Sequence, residues 1–185
     1  MSVEFRDIRI RPGLFFSRTV QLSVIAAIAF LLFQMAAAWL VQGNPVTPIR
    51  SIGAIIMGER DAFDPDYPLV NVIILALIVH LLLAGLFGAI FGGIVARWNE
   101  MLARTPLRLF IVAVVYGVLL WLLNFYVIAP GVFPWLADNN PIVQLLAHAL
   151  YGSVMGGLLA WIGFRASHPH PEELRKEKPV RAEPE

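Results

Sequence analysis

The chain contains four long apolar runs that are separated by polar connections. The runs extend over residues 19–41, 69–96, 109–129 and 142–164, and none of them contains Lys, Arg, Asp or Glu. About 20 helical residues cross a bilayer core of roughly 30 Å. Backbone polar groups inside lipid need internal partners, and the runs do not alternate polar with apolar residues, so we predict helices rather than strands. The pattern therefore predicts an all-α, polytopic membrane protein with a bundle of four transmembrane helices.

The connections contain residues that are typical of helix ends. Gly43 and Pro45 follow the first run, and Pro68 is suited to the first turn of the second helix, where its missing N–H has no cost. Pro130 and Gly131 should close the third helix. Asn140 precedes the fourth run as a predicted N-cap.

Basic residues are sorted to one side of this arrangement. Threading four helices leaves only Arg50 and Arg60 on one side, among acidic residues. The other side carries Arg6, Arg9, Arg11, Arg18, Arg97, Arg104, Arg108, Arg165, Arg175, Lys176, Lys178 and Arg181. Because cytoplasmic loops carry the excess of Lys and Arg, we predict that both termini lie in the cytoplasm.

The remaining segments are short. Residues 1–18 form a basic cytoplasmic lead-in, residues 19–164 form the transmembrane domain, and residues 165–185 are rich in Pro, Glu, Lys and Arg. Such a tail cannot bury a core, so we expect it to be disordered.

The first outer loop contains a further apolar segment. Ile49, Ile52 and Ile56 share one helical face, but the segment is too short to span a membrane. We predict a short interfacial helix that ends at Gly58.

The composition agrees with this fold and excludes several function classes. The chain is 58% hydrophobic and 15% charged, with a mean hydropathy of +0.72. Soluble domains carry about 25% charged residues, so a water-soluble enzyme is excluded. The net charge of +1 gives no reason to expect nucleic acid as a partner. The absence of cysteine excludes disulfides, thiolate catalysis and iron–sulfur ligation.

The second and fourth runs match when His80 is aligned with His148. Small residues then follow each histidine at four, eight and twelve positions: Ala84, Gly88 and Gly92 in one run, and Gly152, Gly156 and Ala160 in the other. Small residues at this spacing let helices approach closely in lipid, so we predict two helix-packing stripes. The match also predicts two repeated helical hairpins that are related by an axis along the membrane normal. We expect the two stripes to meet, which would bring the two imidazoles together.

Three segments carry a resemblance to known proteins. Residues 48–58, the pair Val79-His80 and residues 147–152 resemble a group of small, functionally uncharacterised bacterial four-helix inner-membrane proteins. The resemblance covers about residues 20–164. It implies the four-helix topology and implies no activity.

His80 and His148 are the candidate functional residues, because ionisable groups inside a membrane are functional candidates by default. Each histidine could instead hydrogen-bond a neighbouring carbonyl or hydroxyl, and Gln34 and Asn124 are predicted interhelical hydrogen-bonding amides. A facing pair of imidazoles could also ligate haem b or serve a quinone, a proton or an ion. We predict neither catalytic residues nor a metal site, because the spans contain no nucleophile–base set and the chain has no phosphate-binding glycine loop.

These observations leave three function hypotheses. The first is a non-catalytic scaffold or accessory subunit of a larger membrane complex, with the lipid bilayer and a protein partner or further copies of the chain as its contacts. The second is a bis-histidine haem b or quinone-linked electron carrier. The third is a small channel or transporter that uses an intramembrane histidine pair.

Overall fold

The computed structural model describes residues 12–102 and 105–167, and this part of the chain is helical almost throughout and contains no strand. The helices are α1 (Pro12–Gln42), α2 (Thr47–Met57), α3 (Glu59–Phe63), α4 (Leu69–Arg97), α5 (Asn99–Leu102), α6 (Pro106–Leu122), α7 (Ala129–Val132), α8 (Pro134–Ala137) and α9 (Pro141–Ser167). A π-helical turn, Leu123–Ile128, joins α6 to α7. The predicted all-α class is confirmed for the described residues.

Four stretches of helix are long and apolar enough to cross a membrane. They are Phe15–Gln42, Leu69–Arg97, Pro106–Val132 and Pro141–Ile162. They contain the first three predicted runs and the fourth as far as Ile162, and helix α9 continues to Ser167. Helix α1 begins at Pro12, before the predicted start of the first run, so it extends back into the predicted lead-in. The rest of that lead-in and the tail beyond Ser167 lie outside the described residues.

The outer surface of these helices is apolar. Leu32, Leu82 and Val127 expose 61%, 68% and 67% of their accessible surface. Apolar surface in water costs about 25 cal/mol per Å². A surface of this kind is suited to contact with lipid chains.

Local hydrogen bonds set several helix ends. Asn140 Oδ1 accepts from the backbone amides of Ile142 and Val143 at 3.0 and 3.2 Å, which confirms the predicted N-cap. Gly58 follows α2 with a φ of +86°, and its amide donates to the Ala54 carbonyl at 2.9 Å. Side-chain-bearing residues rarely adopt this conformation, which explains why a glycine ends the helix.

The four long helices pack as two antiparallel hairpins. Helix α1 packs against α4, α6 packs against α9, and the hairpins meet through α1 and α9. Helix α2 lies against α1 and α4. Within the described chain, α4 and α6 do not pack along their length, and they meet through side chains such as Tyr116, whose hydroxyl donates to the Phe87 carbonyl at 2.8 Å.

The first small-residue stripe packs within its own hairpin. A Cβ atom added at Gly88 would lie 2.5 Å from the Cβ of Ser23, and one added at Gly92 would overlap Thr19. Ala84, at the head of this stripe, is buried, and its carbonyl accepts a hydrogen bond from the Ser23 hydroxyl. The stripe therefore lies against α1.

The second stripe likewise packs within its own hairpin, against α6. A Cβ added at Gly156 would lie 2.6 Å from the Cβ of Ala113, and one added at Gly152 would overlap the Ala113 carbonyl. Ala160, one turn further along, is half-buried. The expectation that the two stripes meet each other was wrong, because each small surface is occupied by the antiparallel helix that precedes it in its hairpin.

Candidate ligand-binding cavity

A cavity of about 300 Å³ lies between the four long helices, and residues of α2 and of the segment around α8 also line it. Apolar side chains form most of its wall. The polar side chains that line it are both candidate histidines, four amides and two hydroxyls: His80, His148, Gln34, Asn124, Asn139, Gln144, Ser51 and Tyr151. The structure therefore brings the two predicted site residues to one cavity.

His80 lies on α4 and bonds across the helix contact to α1. Its Nε2 atom is 2.8 Å from the carbonyl oxygen of Ala27. A carbonyl oxygen can only accept, so a neutral His80 carries its ring hydrogen on Nε2. The Nδ1 atom is then left as a hydrogen-bond acceptor.

His148 lies on α9 and is buried. Its Nδ1 atom is 2.8 Å from the carbonyl oxygen of Gln144, one helical turn earlier, so in the neutral ring Nδ1 carries the hydrogen and Nε2 is the acceptor. The side-chain amide nitrogen of Asn124 is 3.5 Å from Nε2, at the outer limit of a hydrogen bond.

The π-helical turn supplies two of the groups around His148. Asn124 and Phe125 both belong to this turn and both line the cavity, and the ring centroid of Phe125 is 5.7 Å from that of His148. Single π-helical turns are rare and occur frequently at functional sites. The sequence analysis identified Asn124 as a hydrogen-bonding amide but did not anticipate the turn that places it here.

Phe30 of α1 contacts both imidazoles. Its ring centroid is 5.6 Å from that of His80 and 4.9 Å from that of His148, so the two imidazole centroids are at most about 10.5 Å apart. Phe30 was not among the candidate residues, because a phenylalanine in an apolar run gives no signal that distinguishes it from its neighbours.

The arrangement does not fit a haem iron. Bonds from imidazole nitrogen to a metal are about 2 Å long, so two axial nitrogens lie about 4 Å apart. Here the Nε2 atom of His80 is bonded to a backbone carbonyl, and the Phe30 ring packs against both imidazoles. The described residues also contain no cluster of three or more His, Cys, Asp or Glu side chains that could hold a metal ion.

Gln34 and Gln144 border the cavity as a buried pair of amides. Gln34 confirms the prediction of an interhelical hydrogen bond, since it joins α1 to α9. Gln144 was missed by the sequence analysis. It lies four residues before His148, on the same helical stripe, and that position was the available signal.

The hydroxyl of Tyr151 borders the cavity further toward the predicted cytoplasmic side and bonds to a second hydroxyl outside the lining. The Tyr151 hydroxyl is 2.5 Å from Ser23 Oγ, and Ser23 in turn donates to the Ala84 carbonyl. Because the Ser23 hydrogen is used in that bond, Tyr151 is the donor to Ser23.

The opposite end is covered by the outer connections. Trp135 of α8 donates its indole N–H to the Ser51 carbonyl of α2 at 3.1 Å. The Arg50 guanidinium donates to the carbonyls of Ala62 and Asp64, at 2.6 and 3.2 Å. These bonds join α2 to α8 and to residues 62–64 at this end of the cavity.

Comparison with known proteins finds no matching family model, curated protein or solved structure. The assignment of a site therefore rests on the cavity and on the side chains that line it.

Proposed function

We propose that this chain is an integral membrane protein of the bacterial inner membrane that holds a small lipid-soluble molecule between its four spanning helices. The observation that carries the proposal is the cavity of about 300 Å³, mostly apolar but bordered by two imidazoles and four amides. Small-molecule sites are typically apolar cavities of about 300–1,000 Å³ with a few polar groups that orient the ligand.

The cavity is partly open to its surroundings, which allows a molecule to enter and leave it. Helices α4 and α6 do not pack along their length, so we place the route of a lipid-soluble molecule from the bilayer between them.

The orientation in the membrane is part of this proposal. We place both termini in the cytoplasm, because twelve of the fourteen basic residues then lie on that side. Helices α2, α3 and α8 would lie at the periplasmic face, with α2 at the interface. The resemblance to small bacterial four-helix membrane proteins is compatible with this placement and adds no activity to it.

Filling the cavity tests the proposal directly. Leu83 lines the cavity, whereas the neighbouring Leu82 is exposed on the outer surface. Native mass spectrometry of protein purified in mild detergent should detect a bound small molecule in the wild type and in Leu82→Trp. The same mass should be lost from Leu83→Trp. Equal retention by both variants, or no bound mass in any sample, would contradict the proposal.

A scaffold or accessory subunit is the second candidate, and a different surface favours it. Gly85, Ala89 and Gly93 repeat at intervals of four along α4, and a Cβ added at either glycine meets nothing within 4 Å. A small-residue face of this kind suits a close helix–helix contact with a partner or a second copy. Gly93→Leu should then dissociate a complex on native gels. Gly131→Leu, also at an open position, should leave that complex intact.

The two remaining hypotheses have less support. The electron carrier requires the imidazoles to meet at an iron, and Phe30 packs against both of them. The channel or transporter requires a route to both sides, and the Tyr116–Phe87 bond joins α4 to α6 at the cytoplasmic end of the cavity.

A further inference from the structure

We infer that the occupant of the cavity is a neutral molecule whose head group donates hydrogen bonds through a hydroxyl, and that His80, His148 and Asn124 supply the acceptors. The inference deepens the proposed function and rests on it. It follows from a count of the hydrogen-bond donors and acceptors that the helices leave unused around the cavity.

The ring N–H groups of both histidines already donate hydrogen bonds within the protein. The N–H of His80 is bonded to the carbonyl of Ala27, and the N–H of His148 to the carbonyl of Gln144. Tyr151 likewise donates to Ser23. These groups can therefore offer the occupant lone pairs but no hydrogens.

The acceptors around the histidines are mostly unused. Within the described chain the Nδ1 atom of His80 has no hydrogen-bond partner, and the Nε2 atom of His148 has only the long contact to Asn124. Because Asn124 must present its NH₂ group to an accepting nitrogen, its carbonyl oxygen is the other acceptor of this cluster. The Nδ1 atom of His80 and the amide oxygen of Asn124 thus remain for a donor, and the Nε2 atom of His148 is a third acceptor once the occupant displaces the long contact to Asn124.

The charge and the hydrogen-bonding groups of the cavity wall narrow the class of molecules that fit the cavity. Beside the two imidazoles, a ketone or an ether would place its lone pairs against those of the ring nitrogens and leave these acceptors unsatisfied. Its donors would have to be the Ser51 hydroxyl or the second amide hydrogens of Gln34 and Gln144, which line other parts of the cavity. An ammonium ion could donate, but no carboxylate of the described residues lines the cavity to balance its charge. A neutral hydroxyl is the remaining common donor in lipid-soluble molecules.

The walls and the volume indicate what carries the hydroxyl. Phe30, Phe87 and Phe125 line the cavity and offer ring surfaces for stacking. A volume of about 300 Å³ is at the small end of ligand sites, so it suits a head group of one or two rings. We place a longer apolar tail between α4 and α6, which do not pack along their length. The fitting class is a phenol or another hydroxylated ring compound.

A matched pair of probes tests this inference. 4-Hexylphenol and 4-hexylanisole differ only by a methyl group on the oxygen, which removes the donor. Binding to the purified full chain can be titrated by native mass spectrometry, with the cavity-filling variant Leu83→Trp as the baseline. The wild type should bind the phenol at least about tenfold more tightly than the anisole, as one satisfied buried hydrogen bond implies.

Variants then assign the acceptors. His80→Leu and Asn124→Leu should each weaken binding of the phenol by about three- to tenfold while leaving binding of the anisole unchanged. Tyr126 is exposed and lies outside the cavity lining, so Tyr126→Phe should keep the full preference. Unchanged anisole binding also shows that a variant has kept its cavity.

The outcomes separate the two levels of the proposal. Equal affinity of the wild type for both probes would overturn the hydroxyl inference and leave the proposed ligand-binding function standing. Binding of neither probe above the baseline would overturn the proposed function and the inference with it. A preference that survives in both His80→Leu and Asn124→Leu would overturn the assignment of acceptors, and if one variant fails to fold the other decides.

Discussion

The side-chain amides of Gln34 and Gln144 form a reciprocal pair in which each donates to the other. Gln34 Nε2 is 2.5 Å from Gln144 Oε1, and Gln144 Nε2 is 3.0 Å from Gln34 Oε1. The pair is buried between α1 and α9, the helices through which the two hairpins meet. A buried amide without a partner is costly, so the pair favours one alignment of the hairpins.

Replacing both amides should therefore cost less than the two single replacements added together. Gln34→Leu or Gln144→Leu alone leaves a buried amide unsatisfied, and each should lower the free energy of unfolding by about 1–3 kcal/mol. The double variant removes both polar groups, so its loss should be smaller than the sum of the single losses. Unfolding in mixed micelles, followed by circular dichroism, measures all four proteins. Strictly additive losses would show that the two amides are not coupled.

The contact between α1 and α4 gives a second prediction. A methyl group at position 88 would lie 2.5 Å from the Cβ of Ser23 and 2.9 Å from the carbonyl of Thr19. Gly88→Ala should consequently lower the free energy of unfolding by about 1–3 kcal/mol through overpacking. The same micelle unfolding assay measures this change.

Gly85 is the matched control, because it lies on the same helix and a Cβ there meets nothing within 4 Å. Gly85→Ala should leave stability unchanged or raise it by roughly 0.5–1 kcal/mol through helix propensity. Similar losses in both variants would mean that Gly88 does not face α1.

Hydropathy predicted the membrane-crossing helices because lipid imposes a strong and local rule on them. Each helix must satisfy its own backbone and present apolar side chains to lipid, so the runs at 19–41 and 69–96 can be read without any knowledge of their neighbours. Asn140 was equally readable, since an N-cap depends only on the next three residues.

The sequence did not predict which faces of the helices pack against each other. All four helices are apolar on every side, so the pattern alone did not show that Gly88 faces α1 while Gly156 faces α6. The cavity depends on this pairing and on the π-helical turn at Asn124, which the apolar pattern of residues 123–128 does not distinguish from regular α-helix. Gln144 and Phe30 acquire their importance only from that assembly.

The placement of the termini gives a third prediction. Reporter fusions after Gly43 and after Asp138 should read as periplasmic, and fusions after Arg104 and Arg165 should read as cytoplasmic. The physical reason is the excess of Lys and Arg on one side of the four helices. Paired alkaline phosphatase and fluorescent protein fusions at each site provide the measurement and its internal control. A cytoplasmic reading at Asp138 would contradict four crossings.

The fourth prediction concerns haem. Protein purified after expression with ample haem should show no Soret band, because the Nε2 hydrogen of His80 is held by the Ala27 carbonyl and Phe30 packs against both imidazoles. Absorption and pyridine haemochrome assays give the measurement, and a known haem b membrane protein expressed in parallel shows that haem was supplied. The Phe30→Ala variant removes the ring that contacts both imidazoles. Its absorption spectrum shows whether this ring alone prevents the histidines from ligating haem iron. A low-spin bis-imidazole spectrum in the wild type, lost in both His80→Leu and His148→Leu, would restore the electron carrier and would require the cavity to reorganise around the iron.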